Sequence, residues 1–294
     1  MRAPLRHFAL PYVIGPLGGA LDTPAGFRAE MGSAPLFTRL RGLDALRFRW
    51  DARLRASYSG AACVLGVAPY VRDVLGAIPL KRFQAMLELG IDDAPAVSRP
   101  VLESGRLRLL HVGRGVRTKG LRDVIRALAL LPDLPGLTLT SAGTGEEIAL
   151  CRAEAARLGV ADRVTFLGQL PRDQVEALYL SHDLFAFPSF REPAGGVLYE
   201  AMRSAMPILT AARGGPDFIV DDACGFRIPV TTPDQFAHDI AACLRQCAAD
   251  PALLARLGGA ARTKVLAQGL WATKAEALLD LYRDLTGCPT YPTV

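Results

Sequence analysis

LRLLHVGRGVRTKGLRDVIRALALLP, residues 107–132, changes structural period across a single loop. LRLLHVG (107–113) is apolar on both faces and reads as a buried strand, whereas LRDVIRALALLP (121–132) spaces its apolar residues as a helix does until Pro132 stops it. The same alternation continues downstream. LTLTSAG (137–143), RVTFLG (163–168), LFAFPS (184–189) and PILTA (207–211) read as further strands. EEIALCRAEAARLG (146–159), RDQVEALYLS (172–181) and GVLYEAMRSA (196–205) read as the helices between them. Strands separated by helices require crossover connections, so the expected fold class is α/β, a doubly wound parallel sheet with its ligand at the carboxyl ends of the strands.

Outward from this core the pattern changes. Residues 233–285 carry three successive helical segments without strands, which pack the end of the chain rather than extend the sheet. The first hundred residues are less regular. LPYVIGPLGG (10–19) and AACVLGVA (61–68) read as strands, PYVRDVLGA (69–77) as a helix and QAMLELGID (84–92) as a third strand broken at Gly90. Pro95 and Pro100 bracket a linker. The expected division is 1–98, a partial Rossmann-like domain; 99–270, the main domain; and 271–294, a terminal helix crossing back toward the first domain.

Half of the 294 residues are hydrophobic, enough for a large core, and no apolar run approaches the length of a membrane span. A cytoplasmic protein is expected, since the short apolar stretch near the start runs into Gly-Pro and Gly-Gly turn signals. The six cysteines form no CxxC pair and have no histidine at metal-ligand spacing, so they read as reduced thiols. The net charge of +5 is concentrated early: residues 1–98 hold 12 basic and 8 acidic groups, the remainder 22 and 21. Six arginines fall in RLRGLDALRFRWDARLR (39–55). Its apolar residues recur near the helical period, which fits either an ordinary solvated helix or peripheral contact with an anionic membrane at its inner face. Nucleic acid is not an expected partner, because no aromatic-basic binding motif accompanies the charge.

Three loops carry candidate chemistry. HVGRGVRTKG (111–120) fails the dinucleotide fingerprint, having Thr118 where the third glycine belongs, and fails the Walker A pattern. It still brings Arg114, Arg117 and Lys119 to a strand-to-helix turn, where cations and backbone amides suit an anion or simply solvate a surface loop. SAGTGEE (141–147) is a second glycine turn on the same sheet edge. REPAGGVLYE (191–200) places Gly195 and Gly196 at a helix start between Glu192 and Glu200. Glycines there admit a phosphate to the free N–H groups, while carboxylates would repel it. The glutamates therefore suit hydroxyl groups, which points to a sugar, unless they are only an exposed helical glutamate and a first-turn partner of the helix dipole.

The stretch from about 106 to 285 resembles the retaining, GT-B-fold glycosyltransferases of family 4. The matching pieces stand in the family's order: GR(x4)KG from Arg114 to Gly120, AGTGEE, VTFLGQLP, DLFAFPSFREPAGG, EAM at 200–202 and GGPDFIVDDACGFRIP. The resemblance implies a GT-B-like fold and transfer of a sugar from a nucleotide-diphosphate sugar to a hydroxyl of a saccharide or lipid-linked acceptor. It implies that Arg114 and Lys119 bind the donor diphosphate and that Glu192, the first glutamate of the E(x7)E signature, lies at the reacting centre. Glu200 is implied to take the ribose hydroxyls, the backbone N–H groups of Gly195, Gly196 and Val197 the sugar or phosphate oxygens, and Leu170 the nucleobase. Gly18 and Gly19 fall on the acceptor side. Family members use no obligatory metal or cofactor, cations serving instead.

The chain departs from the pattern at Pro193-Ala194, at Ala205 in place of a glycine, and in its short acceptor-side domain. His7 does not stand at the family's histidine position, so no catalytic histidine is expected; His111, His182 and His238 read as structural. The alternative function is a non-catalytic nucleotide-sugar-binding or partner-binding protein on the same fold. A sugar-nucleotide epimerase or dehydrogenase is disfavoured by Thr118.

Overall fold

The computed structural model describes residues 10–32, 48–76, 78–97, 99 and 105–287. The first part builds β1 (Val13–Leu17), α1 (Ala52–Gly60), β2 (Cys63–Gly66), α2 (Tyr70–Leu75) and β3 (Phe83–Ala85), with the strands parallel in the order β1-β2-β3. The third strand is shorter than the sequence pattern implies. It ends at Ala85, after which the chain leaves the sheet, and Gly90 packs against the Trp271 ring too closely to admit a side chain. Within the described part of the basic stretch, 48–55, the helix restarts at Ala52. The Asp51 carboxylate accepts from the backbone N–H groups of Arg53 and Leu54, which caps α1 and breaks a continuous helical face. Residues 39–47 lie outside the described residues.

The second part alternates as its periodicity dictates: β4 (Leu107–Val112), α3 (Leu121–Ala129), β5 (Leu137–Ala142), α4 (Glu147–Arg157), β6 (Val164–Gly168), α5 (Arg172–Ser181), β7 (Leu184–Phe187), α6 (Gly196–Arg203), β8 (Ile208–Ala211), α7 (Gly214–Ile219) and β9 (Gly225–Ile228). Five of these strands are those expected from the sequence; β9, only four residues long, is a sixth. The sheet is parallel, in the order β6-β5-β4-β7-β8-β9. β4 therefore lies between β5 on one side and β7 on the other. Connections leave it in opposite directions, and a crevice opens where the loops after β4 and β7 diverge.

Alternate residues of the strands face two apolar layers, as period 2 requires. Leu107, Leu109, Leu184 and Ala186 join α3, α4 and α8 (Pro233–Ala249) on one face. Leu110, Phe185, Phe187 and Ile208 join α6 and α9 (Pro251–Gln268) on the other, in a cluster that also takes in Val64 and Leu87 of the first part. Pro233 and Pro251 sit in the first turns of α8 and α9 behind Thr232 and Asp250, whose side chains cap the helices. α10 (Trp271–Thr286) returns to the small sheet, where Leu281 packs on Cys63 and Leu65. Ala205 adopts φ +52°, the left-handed conformation that a glycine would accept without strain.

One segment of the first part packs into the second. Phe27, wholly buried, belongs to the α3/α8 face of the large core, its ring 4.4 Å from that of Phe190 and 5.7 Å from that of Phe236. Glu30 accepts from Arg117 at 2.6 Å and from Arg126 at 2.8 Å. Residues 21–31 thus form a strap from the end of β1 across the large domain.

Candidate active site

The crevice is floored by two interlocked glycine turns. Gly113 N–H donates to Ala142 O and Gly115 N–H to Thr144 O, and a Cβ on Gly143 would fall 1.9 Å from Gly113 O, so only glycine permits this approach. The loop after β7 is stitched to the same floor. Phe190 N–H and Ser189 Oγ both donate to Thr118 O, and Gly120, at φ +78°, lies against Pro188 O.

The three cations of the 113–120 loop separate. Arg114 is exposed and has no ion-pair partner among the described residues. Arg117 turns inward, where it forks onto Asp123 at 2.6 and 2.8 Å and meets Glu30. Burial opposes its charge, but the bonds from Asp123 and Glu30 more than offset this and hold its pKa above the usual value. Arg117 is therefore part of the scaffold and does not face the crevice. Lys119 bridges the crevice: its ammonium donates to the Glu192 carboxylate and stands 5.1 Å from the centroid of the Phe187 ring. Both partners are only 13% exposed.

His111 lies beneath them at the end of β4, its Nε2 3.2 Å from Lys119 O and its ring 5.8 Å from that of Phe187. Burial, reinforced by the charge of Lys119, depresses its pKa to about 4, so the imidazole stays neutral. His182 serves the scaffold, bonded to Thr140 Oγ1 and Leu178 O.

Glu192 is fixed through its backbone, its carbonyl accepting from Gly215 N–H at 2.9 Å. Gly195, at φ +94°, opens α6, and no side chain caps the helix, so the first-turn N–H groups of Gly196 and Val197 face the crevice uncapped. A Cβ on Gly196 would meet Leu89 at 2.7 Å, which shows how closely the first part approaches this helix start. Further along, a cavity of about 710 Å³ is lined by Leu89, Asp92, Arg172, Val197, Glu200 and Arg203 among others. Leu170 is half-buried before α5 and is not among its lining residues; Arg172, two residues on, is. On the opposite wall, Gly18 rests on Val67, and Gly19, at φ +91° with open space around it, accepts from the Tyr70 hydroxyl at 3.1 Å. Burial pushes the Tyr70 phenol up, the bond to Gly19 opposes it, and the charges of Glu192 and Glu88 add to the rise.

The structure thus gathers Lys119, Glu192, Gly195, Gly196 and Val197 around one crevice, with Glu200 in the adjoining cavity and Arg114 exposed on the loop that carries Lys119. Tyr70 and the strap were not legible as site elements. The strap reaches the site directly: Leu21 O accepts from Arg191 Nε at 2.9 Å, and Asp22 O from Arg213 Nη2 at 2.8 Å. Among the described residues, no group of three or more His, Cys, Asp or Glu is placed to hold a metal ion.

The family model for glycosyl transferases group 1 matches residues 97–264. The chain is 33% identical over 198 residues to a glycogen synthase of Mycobacterium tuberculosis, covering 66% of this chain and 46% of that protein. It is 33% identical over 224 residues to a D-inositol 3-phosphate glycosyltransferase of Mycolicibacterium vanbaalenii, covering 71% and 45%. The chain therefore spans less than half the length of either relative. Among solved structures it is similar to Anabaena Alr3699/HepE in complex with UDP and glucose, with a TM-score of 0.65, 22% identity, and coverage of 92% of this chain and 71% of that one. It is also similar to a sucrose-phosphate synthase from Thermosynechococcus elongatus, with a TM-score of 0.64, 25% identity, and coverage of 83% and 62%. The two parallel sheets are those of the GT-B fold.

Proposed function

The chain belongs to the glycosyl transferases group 1 family, and from that premise we propose that it moves a sugar from a nucleotide-diphosphate sugar to a hydroxyl of a saccharide or lipid-linked acceptor, with retention, as family 4 enzymes do. The observation that carries this reading is the Lys119–Glu192 pair across the crevice, beside the uncapped start of α6. A nucleoside diphosphate is a dianionic leaving group or more. Lys119, Arg114 and the N–H groups of Gly196 and Val197 supply fixed positive potential where that charge develops, which is the largest contribution such a site makes to rate. Glu192 lies at the same point with an acceptor oxygen for sugar hydroxyls. With the diphosphate held against the cations, its own oxygen takes the proton of the incoming hydroxyl on the face from which it departs, and configuration is kept. These cations do the work a divalent ion does elsewhere, so no obligatory metal is proposed. Glu200 and the adjoining cavity fit the nucleoside. That the Anabaena protein was solved with UDP supports a uridine donor as the first to try.

The test is calorimetry with UDP, GDP and ADP on the parent and on the double variant Arg114→Ala/Lys119→Ala. One nucleotide is expected to bind the parent, and the double variant is expected to lose at least tenfold in affinity. Equal affinity in both would remove the phosphate assignment. Tight binding of every donor without transfer to any saccharide or lipid-linked acceptor would favour the non-catalytic reading.

A further inference from the structure

Glu200 lies on the exposed side of α6, where a glutamate is free to sample several rotamers. One contact removes that freedom. Tyr179 of α5 is buried to 1% exposure, and its hydroxyl donates to Glu200 Oε2 at 3.1 Å. The tyrosine is itself held from two sides. Its ring meets Phe185 edge-on with centroids 5.6 Å apart, and its carbonyl accepts from Arg99 Nη1 at 2.8 Å.

A phenylalanine would fill the same core volume, so packing does not account for a hydroxyl at this depth. A buried phenol needs a partner, and among the described residues the Tyr179 hydroxyl has the Glu200 carboxylate. The bond occupies one lone pair of Oε2, Oε1 has no donor among the described residues, and Glu200 lines the 710 Å³ cavity. Resting on the donor reading above, we propose that Tyr179 is a positioning residue of the nucleoside subsite, holding the Glu200 carboxylate in the rotamer that receives the ribose diol. Its phenol remains protonated, because burial and the adjacent carboxylate push its pKa well above the usual tyrosine value.

UDP, GDP and ADP, each beside its 2′,3′-dideoxy counterpart, are titrated by calorimetry into the full chain and into Tyr179→Phe. The parent is expected to prefer the nucleotide that keeps its diol. The variant is expected to lose about fivefold on that nucleotide, the effect of one side chain no longer pre-ordered, and nothing on the dideoxy form. A loss of the same size on both forms marks a packing role and overturns the proposal, as does an unchanged affinity. A parent that binds both forms equally, or binds none of the nucleotides, overturns the assignment of Glu200 to ribose and the proposal with it. A parent that discriminates, beside a variant that discriminates as strongly, overturns the role of Tyr179 alone.

Discussion

Lys119 and Glu192 neutralise each other in a crevice where both are largely withdrawn from water. On the proposed reading this has a cost for binding, since the diphosphate must compete with the Glu192 carboxylate for the same ammonium. Two negative groups sharing one cation repel each other, and screened as in water a unit charge about 4 Å away is worth about 1 kcal/mol, or three- to tenfold in affinity. Glu192→Gln keeps the shape and removes the charge. It is expected to bind the nucleoside diphosphate about three- to tenfold more tightly than the parent while losing transfer activity, with calorimetry and product formation as the two readouts. Weaker diphosphate binding in the variant would show that Glu192 assists the leaving group rather than competing with it. His111 bears on the same pair from below, through the carbonyl of Lys119.

The strap is the element that joins the short first part to the donor side. Phe27 is wedged between Phe190 and Phe236 with the Arg117 guanidinium 5.3 Å from its ring, and Glu30 fastens Arg117 and Arg126. Phe190 and Arg117 stand on the two loops that present Glu192 and Lys119, so the strap buttresses both. Phe27→Ala is expected to cost about 3 to 5 kcal/mol in urea unfolding and to lower nucleotide affinity together with stability; a loss under 1 kcal/mol would show that the strap is not part of the core. AGFRAE (25–30) offered no sign of this role, because a lone aromatic among small and charged residues has no period of 2 or 3.6 to betray a buried face. Most elements from 107 to 211 were legible for the opposite reason, their repeats showing between clear turn signals, whereas α7 (Gly214–Ile219) and β9 (Gly225–Ile228) were too short to show one. The glycine turn at Gly195 was legible because a strand-to-helix junction there calls for a residue that accepts positive φ, whereas the residues alone left Glu192 and Glu200 open between sugar contacts and ordinary helix-surface roles. The inward turn of Arg117 was not, since composition gives the charge of a loop and not the direction of each side chain. The Tyr179–Glu200 contact joins residues 21 apart in sequence on two helices and exists only once they are packed.

Among the described residues, three crossings tie the two sheets together. They are the strap, the 86–97 connection, pinned where Asp93 meets Arg203 and where Ala94 O accepts from Arg262, and α10, whose first N–H, that of Trp271, donates to Ile91 O. The shared apolar cluster of Val64, Leu87, Phe185 and Met202 makes the same connection through packing. Such a chain is expected to melt as one unit, so the titration of a single buried group registers in the stability of the whole. His111 is that group. In the unfolded chain its imidazole gains a proton as pH falls below about 6.5, but in the fold only near pH 4, because burial excludes the charged form. Between these values the unfolded state binds more protons, so stability is full above pH 6.5 and declines as pH falls toward 4, by about 3 kcal/mol if His111 acted alone. His182, also lowered by burial, declines in the same direction, whereas Glu147, whose carboxyl burial raises, acts with the opposite sign. Glu154 enters at lower pH: its bond from Arg157, opposed by burial and aided by Arg126, brings its pKa to about 2, so its contribution disappears from pH 4.5 downward. The informative window is therefore pH 6.5 to 4.5, and the informative comparison is the parent against His111→Phe, which retains the ring packing against Phe187 and cannot titrate. Melting temperature against pH is expected to fall less steeply across that window in the variant, whatever its starting stability, and to run parallel to the parent only once the pH is below about 4. Identical slopes in the upper window would mean that His111 takes up its proton in the folded chain as readily as in the unfolded one.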